Sequence, residues 1–291
     1  MIMAGYEYMG DMPFKNVYFT GIVRDKLGRK MSKSLGNSPD PLDLIDKYGA
    51  DGVRVGMLLC APAGGGLLFD ESLPEQGRNF TTKMWNAFKL VKSWEVASID
   101  QPAHSRLALE WFNHLLGKVN ETLNTQFDQY RISEALMTVY TTFRDEFSSW
   151  LLEMIKPAYG QPIDRKTYEE TLNVFEQLLQ LLHPFMPFIT EEIFCNLSDE
   201  ESIMISSWPE YKEEWNFAAE EKAIETIKEA VRGIRTVRTS MNVPNSKKAT
   251  VYVVSDNAEI RDIFEHGKVF FAALGFASEV LVQADKTGIA E

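Results

Sequence analysis

Residues 133–157 read SEALMTVYTTFRDEFSSWLLEMIKP, and this stretch decides the fold class. Its apolar residues recur at spacings of three and four, which is the period of one face of an α-helix. These residues are Leu136, Tyr140, Phe143, Phe147, Trp150 and Met154. Pro157 ends the pattern because proline cannot continue a helix. The stretch therefore predicts a helix from about Ser133 to Lys156 with one buried, aromatic face.

Three further stretches carry apolar stripes of the same period. They predict helices over about Glu75–Val96, Ser105–Phe127 and Asp164–His183. Pro62 and glycines 64–66 mark a break before the first of them. Successive helices with short connections are typical of an antiparallel bundle, so we interpret the aromatic residues as its core.

Shorter elements are predicted after the bundle. We interpret residues 183–194 (HPFMPFITEEIF) as an irregular return of the chain that is interrupted by prolines. Residues 202–210 (SIMISSWPE) are interpreted as an extended segment. The remaining elements are a helix over Glu220–Met241, a strand over Ala249–Ser255, a helix near Ala258–His266 and a strand over Glu279–Gln283. They predict a small α+β domain, whose C-terminal edge we expect to be incomplete.

The helix over Glu220–Met241 separates apolar from basic residues. Its predicted buried stripe consists of Ile224, Ile227, Val231, Ile234 and Val237. The basic residues that flank the stripe on one side are Lys228, Arg232, Arg235 and Arg238. Such a strip is either a solvated margin or a contact with an RNA backbone, and both interpretations stay open.

A basic loop precedes all of these helices, where residues 28–37 read GRKMSKSLGN. Lysine brings a compact charge and three donors on a flexible stem, and serine adds neutral donors. Lys30, Ser32, Lys33 and Ser34 are therefore predicted to bind a polyphosphate, with a solvated surface loop as the alternative.

The segments on either side of the loop predict a strand and two helices. Residues 15–23 are rich in strand formers, and we expect partners outside this chain because a lone strand makes no sheet. After the loop, Asp40 as a cap, Pro41 and Gly49 predict a short helix. A second helix is predicted over Gly52–Cys60, with Asp51 as its cap.

The composition is that of an ordinary soluble protein, with 45% hydrophobic and 25% charged residues. A net charge of −12 argues mildly against nucleic-acid binding, yet residues 228–248 contain six basic residues and a single acid, Glu229. Cys60 and Cys195 have no paired spacing and are interpreted as buried or idle thiols in a reducing cytosol. Without a secretory leader or a segment of membrane-spanning length, the sequence predicts a cytoplasmic protein.

The basic loop and the residues behind it resemble the KMSKS signature of class I aminoacyl-tRNA synthetases, including the LGN, DLI, YGAD and VR that follow it. Five blocks are similar to those of the valyl-tRNA synthetase family, in the same order. They are CAPAGGGLLFDE (60–71), RNFTTKMWNAFKLV (78–91), the HPFMPFITEEIF and SIMISSWPE stretches, and IRTVRTSMNVPNSK (234–247). One departure is Gly66, where family members usually carry Asp. The resemblance covers essentially the whole chain.

The resemblance implies that the loop closes over ATP while an amino acid carboxylate attacks the α-phosphate and pyrophosphate leaves. It makes Lys33 the main stabiliser of the leaving pyrophosphate, Lys30 a second positive contact, and Ser32 and Ser34 supporting donors to the ATP phosphates. Magnesium would accompany the ATP in the parent enzyme, and no metal site is expected in this chain.

The resemblance also implies a partner motif, HIGH, which none of the four histidines fits. These are His104, His114, His183 and His266. We therefore expect the chain to be the C-terminal part of the enzyme, with half of an ATP site and no catalysis by itself.

The resemblance further implies that the bundle binds the anticodon of a tRNA, whose unstacked bases can be read on their edges. The candidate donors to phosphates and base edges on the first bundle helix are Arg78, Asn79, Lys83, Asn86 and Lys89. A solvated helix face is the alternative for this set. Arg232 and Arg235 are the candidate RNA contacts on the later basic helix.

These expectations combine into a mainly α fold of three parts. Residues 1–71 would be the end of a Rossmann-type catalytic domain, 72–216 the helical anticodon-binding domain and 217–291 the small α+β domain. The expected function is a part in activating valine with ATP and transferring it to tRNA(Val), as a monomer. The alternatives are a stand-alone tRNA-binding module without catalysis, or a fragment of an isoleucyl-, leucyl- or methionyl-tRNA synthetase.

Overall fold

The computed structural model describes residues 1–19, 21–59 and 66–289, and helices dominate it, which confirms the mainly α fold. The predictions that fall on Cys60, Pro62, Gly64 and Gly65 lie outside the described residues. The chain divides into two compact units. The first comprises Met1–Thr81 and Leu123–Met137, and the second comprises Thr82–Thr122 and Thr138–Glu291.

Most of the helices lie close to their predicted positions, although the helix over Ile2–Met9 was not predicted. In the first half of the chain they are α1 (Ile2–Met9), α2 (Pro41–Tyr48), α3 (Ala50–Leu59), α4 (Ser72–Lys92), α5 (Ala103–Asp128) and α6 (Ile132–Thr141). A π-helix over Thr142–Leu151 joins α6 to α7 (Leu152–Ile155). The later helices are α8 (Arg165–Leu182), α9 (Pro187–Leu197), α10 (Ala218–Ser240), α11 (Ala258–His266) and α12 (Lys268–Leu274).

Short strands pair in parallel within the described residues. β1 (Ile22–Arg24) pairs with β2 (Gly66–Leu68), β3 (Val96–Ala97) with β4 (Ile163–Asp164), and β5 (Ala249–Val254) with β6 (Ala277–Gln283). The expectation that the N-terminal strand has its partners only outside the chain is therefore wrong. Of the predicted run over 15–23, only Ile22 and Val23 lie in β1, and each residue of β1 pairs with one residue of β2.

The helices behind the basic loop begin as local signals dictate, with one exception. The Asp40 carboxylate accepts the Leu42 N–H at 2.9 Å, Pro41 opens α2, and Gly49 follows its last residue with a φ of 77°. The cap predicted at Asp51 is wrong, since α3 already begins at Ala50 and Asp51 lies buried in its first turn.

Glycines bring α3 and the start of α4 into backbone contact in the first unit. A Cβ added at Gly77 would lie 2.3 Å from the Gly52 carbonyl oxygen, and one at Gly56 would lie 2.5 Å from the Leu73 carbonyl carbon. Gly52 and Gly56 are one helical turn apart on α3, so a single side of that helix has no side chains where α4 crosses it. The two helices therefore pack more closely than any other residue type would permit.

The bundle core of the second unit is aromatic, as predicted. The ring centroids of Phe143, Phe147 and Phe175 lie 5.1 to 5.7 Å apart, and all three side chains are fully buried. The six apolar residues of the opening stripe are all buried. The aromatic face over residues 133–157 is thus confirmed, although its backbone is not uniformly α-helical.

The middle of that stretch is wound more widely than predicted. The Leu152 N–H bonds to the Phe147 carbonyl, and the Ser149 hydroxyl donates to the Arg144 carbonyl at 2.9 Å, both across five residues. Side chains spaced by four, such as Phe143, Phe147 and Leu151, still face the same core. Periodicity of three and four does not distinguish the two kinds of turn, which is why the sequence predicted one α-helix.

Three predictions after the bundle are corrected. Pro187 opens helix α9 rather than interrupting an irregular return, because a first helical residue needs no N–H partner. The strip on α10 is wrong at two positions: Val237 is 55% exposed, whereas the Lys228 side chain is only 1% exposed. The α+β segment also contains α12, which the sequence did not predict.

Candidate functional site

The basic loop begins with a tight turn that returns the chain alongside β1. The Gly28 N–H bonds to the Asp25 carbonyl at 2.8 Å, and Gly28 has a φ of 76°, a conformation that glycine adopts without strain. The backbone of Lys30 then pairs with Arg24 in an antiparallel bridge. Lys33–Leu35 form a single 3-10 turn. The loop thus has an ordered entry and a short helical centre.

The candidate side chains of the loop are largely accessible to solvent. Lys30, Lys33 and Ser34 are exposed, and Ser32 is half-buried. The two serine hydroxyl oxygens lie 3.1 Å apart, within hydrogen-bonding distance. No carboxylate in the described residues forms an ion pair with Lys30 or Lys33. Both ammonium groups therefore keep their charge available for an anionic ligand.

Two polar side chains hold the backbone of the loop. The Asn37 carboxamide oxygen accepts the Ser32 N–H at 3.0 Å, and its amide nitrogen donates to the Lys30 carbonyl at 3.4 Å and to the Asp25 carboxylate at 3.0 Å. Asp25 also accepts the backbone N–H groups of Leu27 and Arg29 and pairs with the Arg29 guanidinium. Sequence reasoning missed Asp25, although the Asp-x-x-Gly spacing from Asp25 to Gly28 is a turn signal.

This frame affects the charge of Asp25. The hydrogen bond from Asn37 and the bonds and charge of Arg29 hold the pKa of the Asp25 carboxyl well below its usual range. A lowered pKa in the folded state means that the carboxylate stabilises the fold at all pH values above the ordinary pKa of an aspartate. That stabilisation is lost as the pH falls below about 4 toward the lowered value.

Asn37→Ala should loosen the loop without unfolding the chain. The change removes three hydrogen bonds of the Asn37 side chain, so the amide protons of residues 29–36 should exchange about 5 to 30 times faster, as for a loss of about 1 to 2 kcal/mol. Hydrogen exchange followed by mass spectrometry measures this, with peptides from α8 as the internal control. Unchanged exchange in residues 29–36 would show that Asn37 does not hold the loop.

Position 66 faces the arginine that leads into the loop. Gly66 pairs with Ile22 in the sheet, and a Cβ added at Gly66 would lie 3.4 Å from the Arg24 Nε atom. The Arg24 guanidinium itself donates to the Gly28 carbonyl at 3.1 Å. A carboxylate at position 66 would therefore stand next to a cation that supports the loop turn, and this chain lacks that contact.

The candidate residues on α4 fall into both units. In the first unit, Arg78 and Asn79 are exposed, and the Arg78 guanidinium donates to the Lys47 carbonyl at 2.9 Å. In the second unit, Asn86 and Lys89 are exposed, and the Lys83 ammonium lies 3.5 Å from the Ser149 hydroxyl. Each of the five side chains is at least partly accessible to a ligand. Their roles stay predictions.

The basic helix α10 has the two predicted arginines on the side that faces Trp150. The guanidinium carbons of Arg232 and Arg235 lie 5.3 and 5.4 Å from the centre of the Trp150 ring. The Arg235 Nε–H also donates to the Leu274 carbonyl at 2.8 Å. Arg232 is exposed and Arg235 half-buried. Both keep donor groups on the surface.

Lys228, one turn earlier on α10, has a different environment from the one predicted. Its ammonium lies 2.5 Å from the Glu146 carboxylate and 2.6 Å from the Glu225 carboxylate. It also lies over the rings of Trp111 and Trp150, at 4.7 and 5.4 Å from their centres. Lys228 is therefore a buried structural cation and not part of an exposed basic strip.

Two other kinds of site are absent from the described residues. Nowhere in these ranges do three or more His, Cys, Asp or Glu side chains gather in a group that could hold a metal ion. Among the described helices, none combines the length and the apolar content needed to cross a membrane.

Two family models match the chain. A model of the anticodon-binding domain of tRNA ligases matches residues 110–253, and a model of the class I tRNA synthetases (I, L, M and V) matches residues 1–69. The first match lies mainly on the helices of the second unit. The second match includes the basic loop, α2 and α3.

Individual relatives agree with these matches. The chain is 61% identical to the valine–tRNA ligase of Phocaeicola vulgatus over 88% of its own length, and 55% identical to that of Parabacteroides distasonis over 94%. The valine–tRNA ligase of Clostridium tetani is 39% identical over 96% of this chain. In each case the chain spans about a third or less of the relative, namely 30%, 31% and 32% of its length.

One solved structure has a similar fold. The crystal structure of the ternary complex of an Agrobacterium radiobacter K84 LeuRS with tRNA and LeuAMS superimposes with a TM-score of 0.54. It covers 74% of this chain and 26% of the other, at 21% identity. This likeness concerns the fold alone.

Proposed function

Because the chain belongs to the valine–tRNA ligase family of class I tRNA synthetases, we propose that it supplies two parts of an enzyme that joins valine to tRNA(Val). These are the basic loop over residues 28–37, which we call the lysine loop, and the tRNA-binding region. The observation that carries this proposal is the identity of 61% to a valine–tRNA ligase across 88% of the chain. The blocks that resemble this family run from the lysine loop to the basic helix, so both regions would work in one enzyme.

The lysine loop would act on ATP. In the proposed reaction, the valine carboxylate attacks the α-phosphate of Mg-bound ATP, the bond to the β-phosphate breaks, and pyrophosphate leaves. Charge then builds up on phosphate oxygens, and Lys33 and Lys30 would stabilise it while Ser32 and Ser34 donate hydrogen bonds. The exposure of both ammonium groups and their lack of carboxylate partners in the described residues support this role.

The chain would contact tRNA through α4 and α10. Arg78, Lys83 and Lys89 would bind phosphates, and Asn79 and Asn86 would pair with base edges of the anticodon region. Arg232 and Arg235 would bind the RNA backbone. The accessibility of all these side chains supports the assignment, as does the match of residues 110–253 to an anticodon-binding domain.

The proposed organisation follows the three segments drawn from the sequence. Residues 1–71 would end the catalytic domain, 72–216 would bind the anticodon, and 217–291 would form the C-terminal α+β part. We propose a monomer that acts in the cytoplasm. The order of the two family matches along the chain supports the first division.

Anticodon recognition is the part of the proposal that this chain can test directly. The 291-residue chain should bind a tRNA(Val) transcript about tenfold more tightly than the same transcript with its last two anticodon bases changed, because a hydrogen-bonded base edge contributes about 1 to 3 kcal/mol to discrimination. Valine anticodons share those two bases, so they are the ones that a valine-specific reader needs. Fluorescence anisotropy at about 100 mM salt measures the two affinities.

The control variant is Lys222→Gln, which removes an exposed charge of α10 that pairs with Glu259. It should leave the ratio of the two affinities unchanged, whereas Asn79→Ala combined with Asn86→Ala should reduce it. Equal binding of both transcripts by the unmodified chain would contradict anticodon recognition and leave only general electrostatic attraction.

A further inference from the structure

The aromatic ring of Trp150 is surrounded by cations of α10. The Lys228 ammonium and the guanidinium carbons of Arg232 and Arg235 lie 5.3 to 5.4 Å from the ring centre. The three cations follow one another at spacings of four and three, so they lie on one face of the helix. Trp150 itself, which lies in the π-helix, is only 7% exposed. The ring is therefore a fixed platform beneath that face.

The three cations differ in whether a carboxylate neutralises their charge. The Lys228 ammonium has two carboxylate partners, Glu146 and Glu225, which together outweigh its single charge. Arg232 and Arg235 form no ion pair with a carboxylate in the part of the chain that the structure describes. A ring quadrupole attracts a guanidinium without neutralising it. The net positive charge of both arginines is therefore retained at the surface.

We propose that Trp150 is a positioning residue for RNA binding, which holds the guanidinium groups of Arg232 and Arg235 in place, still charged, for the phosphates of the tRNA backbone. The inference rests on the proposed function, because it takes the partner to be RNA. Lys228 uses its charge to fix α10 against Trp111 and Trp150 and contributes no charge to the partner.

The Trp150 ring orders the Arg232 and Arg235 side chains before RNA binds. A free arginine side chain loses rotamer freedom when it binds a phosphate, and that loss weakens the complex. With Arg235 bonded to the Leu274 carbonyl and both guanidiniums resting on Trp150, part of this freedom is already lost in the free chain. A guanidinium group binds two phosphate oxygens through a pair of N–H donors at its edge. An aromatic ring contacts the face of the guanidinium and leaves these donors free.

Two sets of variants separate positioning from charge in a tRNA(Val) binding assay at several salt concentrations. Trp150→Leu should weaken binding about five- to tenfold at every salt concentration, the range expected when two side chains must be ordered on binding. It should leave the salt dependence unchanged, because both arginines still reach their phosphates. Arg232→Ala with Arg235→Ala should weaken binding and also reduce the slope of log affinity against log salt by between one and two, since about two counterions fewer are released.

The controls address folding. Phe175→Leu removes another fully buried aromatic ring of the same bundle, which packs against Phe143 and Phe147, and should leave tRNA affinity unchanged. Trp150→Phe retains an aromatic face and should restore most of the affinity that Trp150→Leu loses. If Trp150→Leu does not fold, the Arg Nε–H signals of the unmodified chain decide by NMR: ordered signals for Arg232 and Arg235 without RNA support the proposal, and averaged signals contradict it.

The remaining outcomes have separate meanings. Normal affinity of Trp150→Leu together with weak binding by the double arginine variant would overturn the role of Trp150. Normal affinity and slope for both would overturn the whole inference while tRNA binding itself stands. If the unmodified chain does not bind tRNA(Val) at any salt concentration, the proposed function fails first.

Discussion

Gly77→Ala should lower the free energy of unfolding by about 3 kcal/mol, because the new methyl group would meet a backbone that cannot move aside. Its Cβ would lie 2.3 Å from the Gly52 carbonyl oxygen and 2.9 Å from the Gly52 Cα. Both atoms belong to α3, so relief requires the two helices to separate. Separation would also disturb the packing of the small core around Leu44, Tyr48 and Phe69 on which α2 and the lysine loop rest.

Gly233→Ala is the matched control, since it introduces the same methyl group into a helix. Nothing lies within 4 Å of the Cβ position at Gly233 in the middle of α10. Alanine there should raise the free energy of unfolding by about 0.5 to 1 kcal/mol through its better helix propensity. Urea unfolding followed by circular dichroism measures both. Similar effects for the two variants would mean that α3 and α4 are not in backbone contact.

Glu146→Gln combined with Glu225→Gln should lower the free energy of unfolding by about 3 kcal/mol. The two substitutions together leave the buried Lys228 ammonium without a carboxylate partner. The Lys228 side chain is 1% exposed, so water cannot take over the lost interactions. Its only other close neighbours in the described residues that attract a cation are the rings of Trp111 and Trp150. They offset part of the loss, not all of it.

Two further variants test that explanation. Adding Lys228→Met to the double change should restore most of the lost stability, since an apolar side chain of similar length then fills the same space. Glu259→Gln breaks the exposed pair with Lys222 on the same helix and should change the free energy of unfolding by less than about 1 kcal/mol. If the double variant is as stable as Glu259→Gln, the ammonium is not the buried charge that the structure shows.

Local signals account for the parts of the fold that the sequence predicts well. The cap at Asp40, the proline at position 41 and the apolar stripe from Leu136 to Met154 each depend on residues within one or two helical turns. Such signals appear directly in a sequence window. The phosphate-binding role of the lysine loop also comes from residue types within a short window, and it stays a prediction.

Contacts between distant residues account for what the sequence did not predict. Ile22 pairs with Gly66, and Lys228 is buried by Glu146, from segments more than 40 residues away. No pattern in the sequence around Lys228 predicts its contact with Glu146. A lysine beside an apolar stripe was therefore interpreted as exposed. Asp25 was missed for a related reason, since its role depends on Asn37, twelve residues later.

The wide turns of residues 142–151 affect how this chain can tolerate change. A π-helical turn contains one residue more than an α-helical turn, so the segment resembles an α-helix that has absorbed an insertion. Loss of a single residue in a regular α-helix rotates all the following residues by about 100° relative to those before it. Residues 142–151 can instead lose one residue before Trp150 by tightening to α-helical turns, so that Trp150 stays on the side that α10 covers. We therefore expect a deletion to be less harmful in this segment than in the regular helices of the bundle.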